Sequence, residues 1–544
     1  MSKRLGRFVA LVLVAGLVVT VAGAGAQGSA PVPQAAGQAA CPSVVAPGSF
    51  ASAAQLRKQL TKAMSFGQRN LASASHRRLI SWLEREVKRI DRDFRLRSDP
   101  FRVWRWLPRT HARGGPGLDI ARAGGLSLVR PGGKAGSVPV AGAVHWSKPG
   151  TRKGRLVYLG PDDEITAANA KGRVVIRDFP SGSLPFSAFG FVGLYITPDL
   201  ASETGDYARP YINELQQELL AAGRAGAAGV VFAFDVPRRQ VRGYYDPHTG
   251  TLYRLPAVFV GSAEARRLKA LARQGRSARI AVRAKVDRAM TRNVIATLPG
   301  QSKEKIVLAA NTDGNSWVQE NGIVGMLAVA RYYARLPLRC RPRTLELAFA
   351  SAHDTLVSDG TDKYAEKLNE TNVAFAFSIE HLGTREIIPT GQGPRRHLEF
   401  TGKGDPFLFA AGDSDVLRQT AIATTQRRRL DRTAVLQGIG VPDAARVPPI
   451  CSMGGLGIAF HRRLIPTLAM ISGPWTLYDP AFGRRAIDFR RMRSQALAVG
   501  DSILALDELP TDQIAGDYLS FRERLAQGAP TCPREVYPQF APGP

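Results

Sequence analysis

Short, continuous apolar runs recur along the second half of this chain, separated by segments whose apolar residues fall every three or four positions. Ile306-Val307-Leu308-Ala309-Ala310 is such a run, and Leu345 to Ala350, Val373 to Ile379 and Pro466 to Ile471 repeat the pattern. Runs of this length without alternation predict strands buried on both faces, as in a mainly parallel sheet. After the first run come polar residues, and then Ile323, Leu327, Ala330 and Ala334 recur as on the inner face of a helix. Upstream, Leu79, Trp82, Leu83, Val87 and Ile90 predict an amphipathic helix from about His76 to Arg92. Strand, polar loop, helix and strand in succession imply an α/β fold: a mixed, mainly parallel sheet flanked by helices. In such sheets ligands lie in the crevice at the carboxyl ends of the strands. Asn311, Asp313 and Glu320 therefore stand where chemistry is expected.

Between the upstream helix and the first central strand lies a second αβ pattern. Leu156 to Leu159, Val174 to Ile176, Val230 to Phe232, Leu255 to Val260 and Ala278 to Ala284 predict strands. Helices are predicted over Ile212 to Ala222, stopped by Gly223, and over Ala263 to Arg273. The stretch from Asp99 to Trp146 is broken by Gly114, Gly115, Pro116, Gly132 and Gly133, and no period assigns it. Pro389 to Pro449 reads as a loop-rich excursion near the crevice mouth, with a helix around Asp415 to Thr425.

The ends of the chain change the picture of where it works. Lys3, Arg4 and Arg7 precede an apolar run from Phe8 to Ala22, and Ala24-Gly25-Ala26 follows as a small-residue cleavage pattern. Residues 1–26 are thus expected to be a signal peptide, with an uncleaved membrane anchor as the alternative. Residues 27–50, rich in Ala, Pro and Gly, read as a linker, and residues 511–544 as a C-terminal tail. Cys41, Cys340, Cys451 and Cys532 suggest two disulfides in an oxidising compartment, and their spacing excludes a Cys-x-x-Cys metal knuckle. Three connectivities are possible, and Cys41 with Cys532 and Cys340 with Cys451 is the favoured one, because the termini of a domain often lie close together.

Length and charge narrow the class further. A chain of 544 residues exceeds one core, so two domains plus the N-terminal segment are expected. Hydrophobic residues at 44% and charged residues at 22% exclude a disordered chain. Lys and Arg total 74 against 45 Asp and Glu, a formal net charge of +29, which attracts the chain to anionic surfaces such as envelope lipid or wall polymer. The basic residues are dispersed and not interleaved with aromatics on one helix, so no specific nucleic-acid partner is expected. Oligomeric state is not legible.

Two resemblances sharpen these expectations. The strand "KGRVV", the turn "AGRAGAAGVVF" and the strand "LPAVFVG" together resemble a protease-associated domain over roughly Ser147 to Lys285. Such domains resemble lids or partner-binding modules. The segment Arg292-Asn293-Val294-Ile295-Ala296 and the run from Lys305 to Leu336 resemble the start of the sheet in the zinc exopeptidase family of aminopeptidase Y and glutamate carboxypeptidase. In that family a protease-associated domain is inserted after an N-terminal helix, and this chain has the same order over about Ala51 to Leu509. The implied division is 51–146 and 287–510 for the peptidase-like domain and 147–286 for the insert.

The resemblance implies peptide hydrolysis by two bridged zinc ions, which deprotonate a water and polarise the carbonyl it attacks. The family's His-x-Asp element becomes Asn311-Thr312-Asp313 here, keeping the orienting Asp313 but replacing imidazole with a carboxamide, a poorer zinc ligand. Glu320 stands for the bridging aspartate. The Glu-Glu pair of general base and ligand becomes Ala352-His353-Asp354, so His353 is the candidate ligand and Asp354 a displaced base. Glu380 fits the next carboxylate ligand, followed by His381. In place of a late histidine the chain reads SGPWTLYDP, where Asp479 is the nearest acidic residue. The expected site is then Glu320, His353 and Glu380 for metal, with Asp313 and Asp354 in catalytic positions. Zinc is expected to be substoichiometric or absent.

Three readings follow from these residues. One is a catalytically impaired exopeptidase relative that binds peptides or protein partners in its crevice and through the inserted domain. Another is an active hydrolase with an altered, single-metal site. The third is an envelope-surface scaffold anchored by its basic charge.

Overall fold

The four continuous apolar runs lie side by side at the centre of a nine-stranded sheet in the computed structural model of the chain. The structure describes residues 40–111, 117–129, 136–209, 215–245, 251–353, 360–438 and 453–530. An N-terminal unit ends at Cys41, and one continuous unit runs from Pro42 onward. The expected signal peptide, Asp354, Cys451 and Cys532 lie outside the described residues.

Numbered in chain order, the strands of the large sheet are β1 (Arg95–Pro108), β2 (Gly193–Ile196), β3 (Ala284–Leu298), β4 (Lys305–Asn311), β5 (Thr344–Ala350), β6 (Val373–Ile379), β7 (Phe407–Ala411), β8 (Thr433–Gln437) and β9 (Thr467–Ser472). Their spatial order is β1-β3-β5-β4-β6-β9-β7-β8-β2. The inner four, β5, β4, β6 and β9, are mutually parallel. β5 and β6 are buried at every position, and β4 at all but Lys305, which explains why their sequences do not alternate. Each Leu, Ile, Val or Phe so buried contributes roughly 1.5–3 kcal/mol.

Helices cover the sheet. Those that matter here are α1 (Ala53–Met64), α2 (Ala74–Ile90), α3 (Gly322–Ala334), α4 (Asp415–Arg428) and α5 (Phe489–Asp507). α1 begins in a capping box, where Ser52 Oγ accepts the Gln55 N–H and the Gln55 side chain accepts the Ser52 N–H. In α2, Ser73 caps the first turn and Leu79, Trp82, Leu83 and Val87 are buried as their spacing predicts. α3 departs from the one-faced expectation and is buried nearly all round, because α1, α2 and α5 pack over it. Its first residue has to be glycine: a Cβ on Gly322 would collide with the Ile379 carbonyl at the end of β6. Absence of that atom lets the helix start touch the strand end.

A second, eight-stranded sheet contains the middle pattern, with Ser277–Val282, Gly150–Leu159, Val174–Phe179, Gly229–Phe234 and Ala257–Val260 as its inner strands. It also takes Gly124–Val129, Gly136–Val138 and Gly142–Ala143 from the stretch that no period assigned. β2 leaves this region and pairs antiparallel with β8, extending the large sheet.

Other segments correct the sequence reading. The expected loop-rich excursion after Pro389 supplies β7 and β8, whose five residues each are too short to register as runs, while α4 lies where a helix was expected around Asp415 to Thr425. The expected C-terminal tail contains helices Thr511–Ala515 and Tyr518–Ala526, and Ile514, Ala515 and Tyr518 are buried. Order also begins before the expected linker ends: Val45 is fully buried, its N–H bonded to Asp501 Oδ1 at 2.9 Å. Cys41 and Cys340 are both disulfide-bonded. Among the described residues no helix is long and apolar enough to cross a membrane.

Candidate functional site

The carboxyl ends of the four parallel strands carry the residues singled out in the sequence. Asn311 closes β4, Ser351 to His353 follow β5, Glu380 and His381 follow β6, and Ser472 closes β9 with Gly473 after it. The parallel register that aligns Asn311 with Ala350 brings these ends to one edge.

Asn321, immediately before α3, fixes two of these loops to each other. Its Nδ2 donates to the Leu382 carbonyl and its Oδ1 accepts the Leu382 N–H, both at 2.7 Å. The loop after β4 is thereby tied to the loop after β6. Thr312 adds a tie to β5, its N–H and its hydroxyl donating to the Ala350 carbonyl at 2.8 and 2.9 Å.

Glu320 is fully buried and faces a guanidinium. Arg69 Nε donates to Glu320 Oε1 at 2.6 Å and Nη2 to Oε2 at 2.8 Å, a bidentate pair. Two further Arg69 N–H groups go to the Ser316 carbonyl at 2.9 Å and the Gly67 carbonyl at 2.5 Å. Both oxygens of the expected bridging carboxylate are therefore engaged by a cation the protein itself supplies. Arg69 lies 251 positions away in a segment with no periodicity, and the sequence reading missed it.

Nearby, His76 Nδ1 accepts the Ala72 N–H, so its Nε2 carries the proton and faces Thr312 Oγ1 at 2.9 Å. Burial, followed by the charges of Arg69, Arg77 and Arg292, pushes this imidazole down to about 3. It is neutral and serves to hold the Asn311-Thr312-Asp313 segment.

Asp313 is buried, and its Oδ1 accepts the His353 N–H at 3.2 Å. It orients the loop after β5 through its backbone. Ala352 has a left-handed backbone, φ 67°, and its methyl packs with Leu71, Ala72 and Val103. The position expected for a general base is thus an apolar contact. Asn311 Oδ1 is buried and, among the described residues, accepts no hydrogen bond.

Glu380 accepts the Leu456 N–H at 2.7 Å, and a Cβ on Gly455, itself at φ 47°, would collide with that carboxylate. His381, also left-handed at φ 55°, meets the Ser472 carbonyl through Nδ1 at 2.5 Å. A carbonyl only accepts, so Nδ1 is protonated and Nε2 is the bare nitrogen. Burial lowers this imidazole to about 3 against the opposing pull of the Ser472 carbonyl.

His353, Glu380 and His381 line a cavity of about 210 Å³, together with Gln319, Leu408, Ile471, Ser472 and Tyr478. Phe189, Tyr207 and Arg209, from the stretch of chain between β1 and β3, also line it. Tyr245 from the same region reaches the loop after β4, its hydroxyl donating to Gln319 Oε1 and accepting the Asn315 N–H at 2.8 Å. The structure therefore brings His353 and Glu380 to one cavity, whereas Glu320 points away toward Arg69. Asp479 is occupied by Trp475 Nε1 at 3.1 Å and the Ala481 N–H at 3.0 Å, and burial raises it to about 8. Among the described residues no group of three or more His, Cys, Asp or Glu is disposed to hold a metal ion.

Known structures share this architecture. An aminopeptidase from Aneurinibacillus superposes with a TM-score of 0.51 at 16% identity, over 84% of this chain and 95% of the other. A zinc aminopeptidase from Bacillus subtilis gives 0.56 at 14% identity, over 83% and 94%. The chain shares the fold of these two aminopeptidases. A peptidase precursor from Shewanella amazonensis agrees, with 0.50 at 14% identity over 83% and 96%. No protein-family description and no curated protein matches the chain. At these identities the likeness extends to the fold, and the function has to be argued from the site.

Proposed function

We propose that this is an exported exopeptidase-like protein that binds a peptide or protein segment in its crevice and does not carry out two-zinc hydrolysis. The inserted region, read as a protease-associated domain, walls the binding cavity with Phe189, Tyr207 and Arg209. The observation that carries this reading is the donor set at the strand ends. Two-zinc peptidase chemistry needs carboxylate and imidazole ligands and a free carboxylate base. Here the first ligand position is the neutral carboxamide of Asn311, the base position is the packed methyl of Ala352, and the bridging position is Glu320 held bidentate by Arg69. These residues do not fit a dinuclear zinc centre. A single metal on Glu320, His353 and Glu380 is disfavoured for the same reason, since Glu320 would have to exchange its guanidinium for the metal.

What the crevice retains is recognition. The cavity is large enough for one bulky side chain, apolar on most of its wall, with Glu380, His353 and Arg209 as polar groups. The high positive charge supports an additional, salt-dependent attraction to an anionic envelope surface.

The test is a binding and turnover pair. Peptides titrated into the purified protein are expected to bind with heat release and to be recovered uncleaved after prolonged incubation with zinc. Leu408→Trp, which fills the cavity, is expected to weaken binding at least tenfold. Release of amino acids at enzymatic rates by the wild type would overturn the reading.

A further inference from the structure

We propose that Arg69 does the structural work of a bound cation, so that the shape of the crevice rim is independent of any divalent metal. The inference rests on the geometry of the pair and stands whether or not the crevice binds peptides. Glu320 has no solvent exposure and Arg69 has 3% on its side chain. A lone carboxylate at such a place is strongly disfavoured by its desolvation, and a compensating positive charge is required. The guanidinium supplies it with directional bonds, which a spherical ion lacks.

Arg69 also links segments that a cation on Glu320 alone would leave apart. Its main-chain N–H donates to the Gly314 carbonyl at 3.0 Å, and its side chain donates to Gly67 and Ser316 as well as to Glu320. One residue thereby joins the segment before α2 to both arms of the loop between β4 and α3. The loop has no room for looser arrangements: a Cβ on Gly314 would press on the side chains of Gln319 and Glu320. Arg69 is accordingly a positioning residue for the rim, acting through Glu320 and the loop backbone.

The experiment uses the purified full chain and reads thermal unfolding. For the wild type, chelation by EDTA or addition of zinc chloride is expected to move the midpoint by less than about 1 °C. Arg69→Met is expected to lower it by about 5 °C or more, since breaking one side of a buried pair leaves the other charge uncompensated. The same change at exposed Arg85 is the control and should leave the midpoint within about 1 °C. The double variant Arg69→Met with Glu320→Gln should regain at least half of the loss, because it removes the orphaned charge. If Arg69→Met does not fold, Glu320→Gln alone and the wild-type metal titration decide the matter. Stabilisation of the wild type by zinc that Glu320→Gln abolishes would overturn the proposal, as would a double variant no better than Arg69→Met. These outcomes are separate from peptide binding, so failure of one reading leaves the other to be judged on its own data.

Discussion

After β4 the crevice rim is held by charge pairing within the protein, whereas after β6 and β9 it faces a cavity. On the first side Glu320 meets Arg69, Asp313 meets the His353 backbone, and a neutral His76 meets Thr312. On the second side Glu380 receives the Leu456 N–H, His381 is fixed on Ser472, and both line the open space with His353. Both sides carry buried polar residues at the ends of parallel strands, but Glu320 turns to Arg69 whereas Glu380 and His381 line the cavity. The difference teaches that strand-end position marks where chemistry is placed, while the partner of each group decides whether it acts on a ligand or on the fold.

The largest way to break this comparison is Glu320→Gln. It leaves the Arg69 guanidinium without its counter-charge and is expected to cost about 3–5 kcal/mol in a denaturant titration. A loss under about 1 kcal/mol would show that the first side is not held by charge. Next, Gly322→Ala forces a methyl into the Ile379 carbonyl and should cost about 2–3 kcal/mol by the same measurement. Asn321→Ala removes both hydrogen bonds that couple the two sides and should cost about 1–3 kcal/mol. It should also weaken peptide binding, since the Glu380 loop loses its anchor.

A smaller effect concerns pH. Burial raises Asp479 to about 8 and Asp405 to about 7, well above the unfolded carboxylate. Each holds its proton in the folded state after the unfolded chain has released it. Their contribution is complete below about pH 4 and is lost as pH rises toward 7 or 8. Asp479→Ala should therefore reduce the slope of unfolding free energy against pH between about 5 and 8 by up to about 1.4 kcal/mol per pH unit. The buried imidazoles act oppositely. His76, His145 and His381, each lowered to about 3, make the folded protein lose stability as pH falls below about 6.5. An unchanged slope in Asp479→Ala would remove Asp479 from this account. Smallest of all, Arg89→Ala breaks an ion pair with Glu86 on a side chain 68% exposed and should change stability by less than about 0.5 kcal/mol.

Much of the fold was legible because burial on both faces leaves an unmistakable mark. The runs at β4, β5, β6 and β9 and the helical periods of α2 and α3 all fell where they were read. β7 and β8 were not legible, since five residues set among Gly, Asp and Arg resemble loop. The long edge strand β1 was missed because its apolar residues are interleaved with arginine and partly exposed, the usual state of a strand with one neighbour. At the site, His353 and Glu380 could be placed from the strands before them. Arg69 could not, since a lone arginine in an aperiodic segment carries no signal of its partner.

By itself the sequence determined the layering of sheet and helices and which residues stand at the strand ends, because those follow from local periodicity and from the buried, parallel character of the central strands. Only the tertiary structure decided what each of those residues faces. Compensation of a buried charge depends on which distant group packs within about 3 Å of it, and for Glu320 that group is a guanidinium 251 residues earlier in the chain.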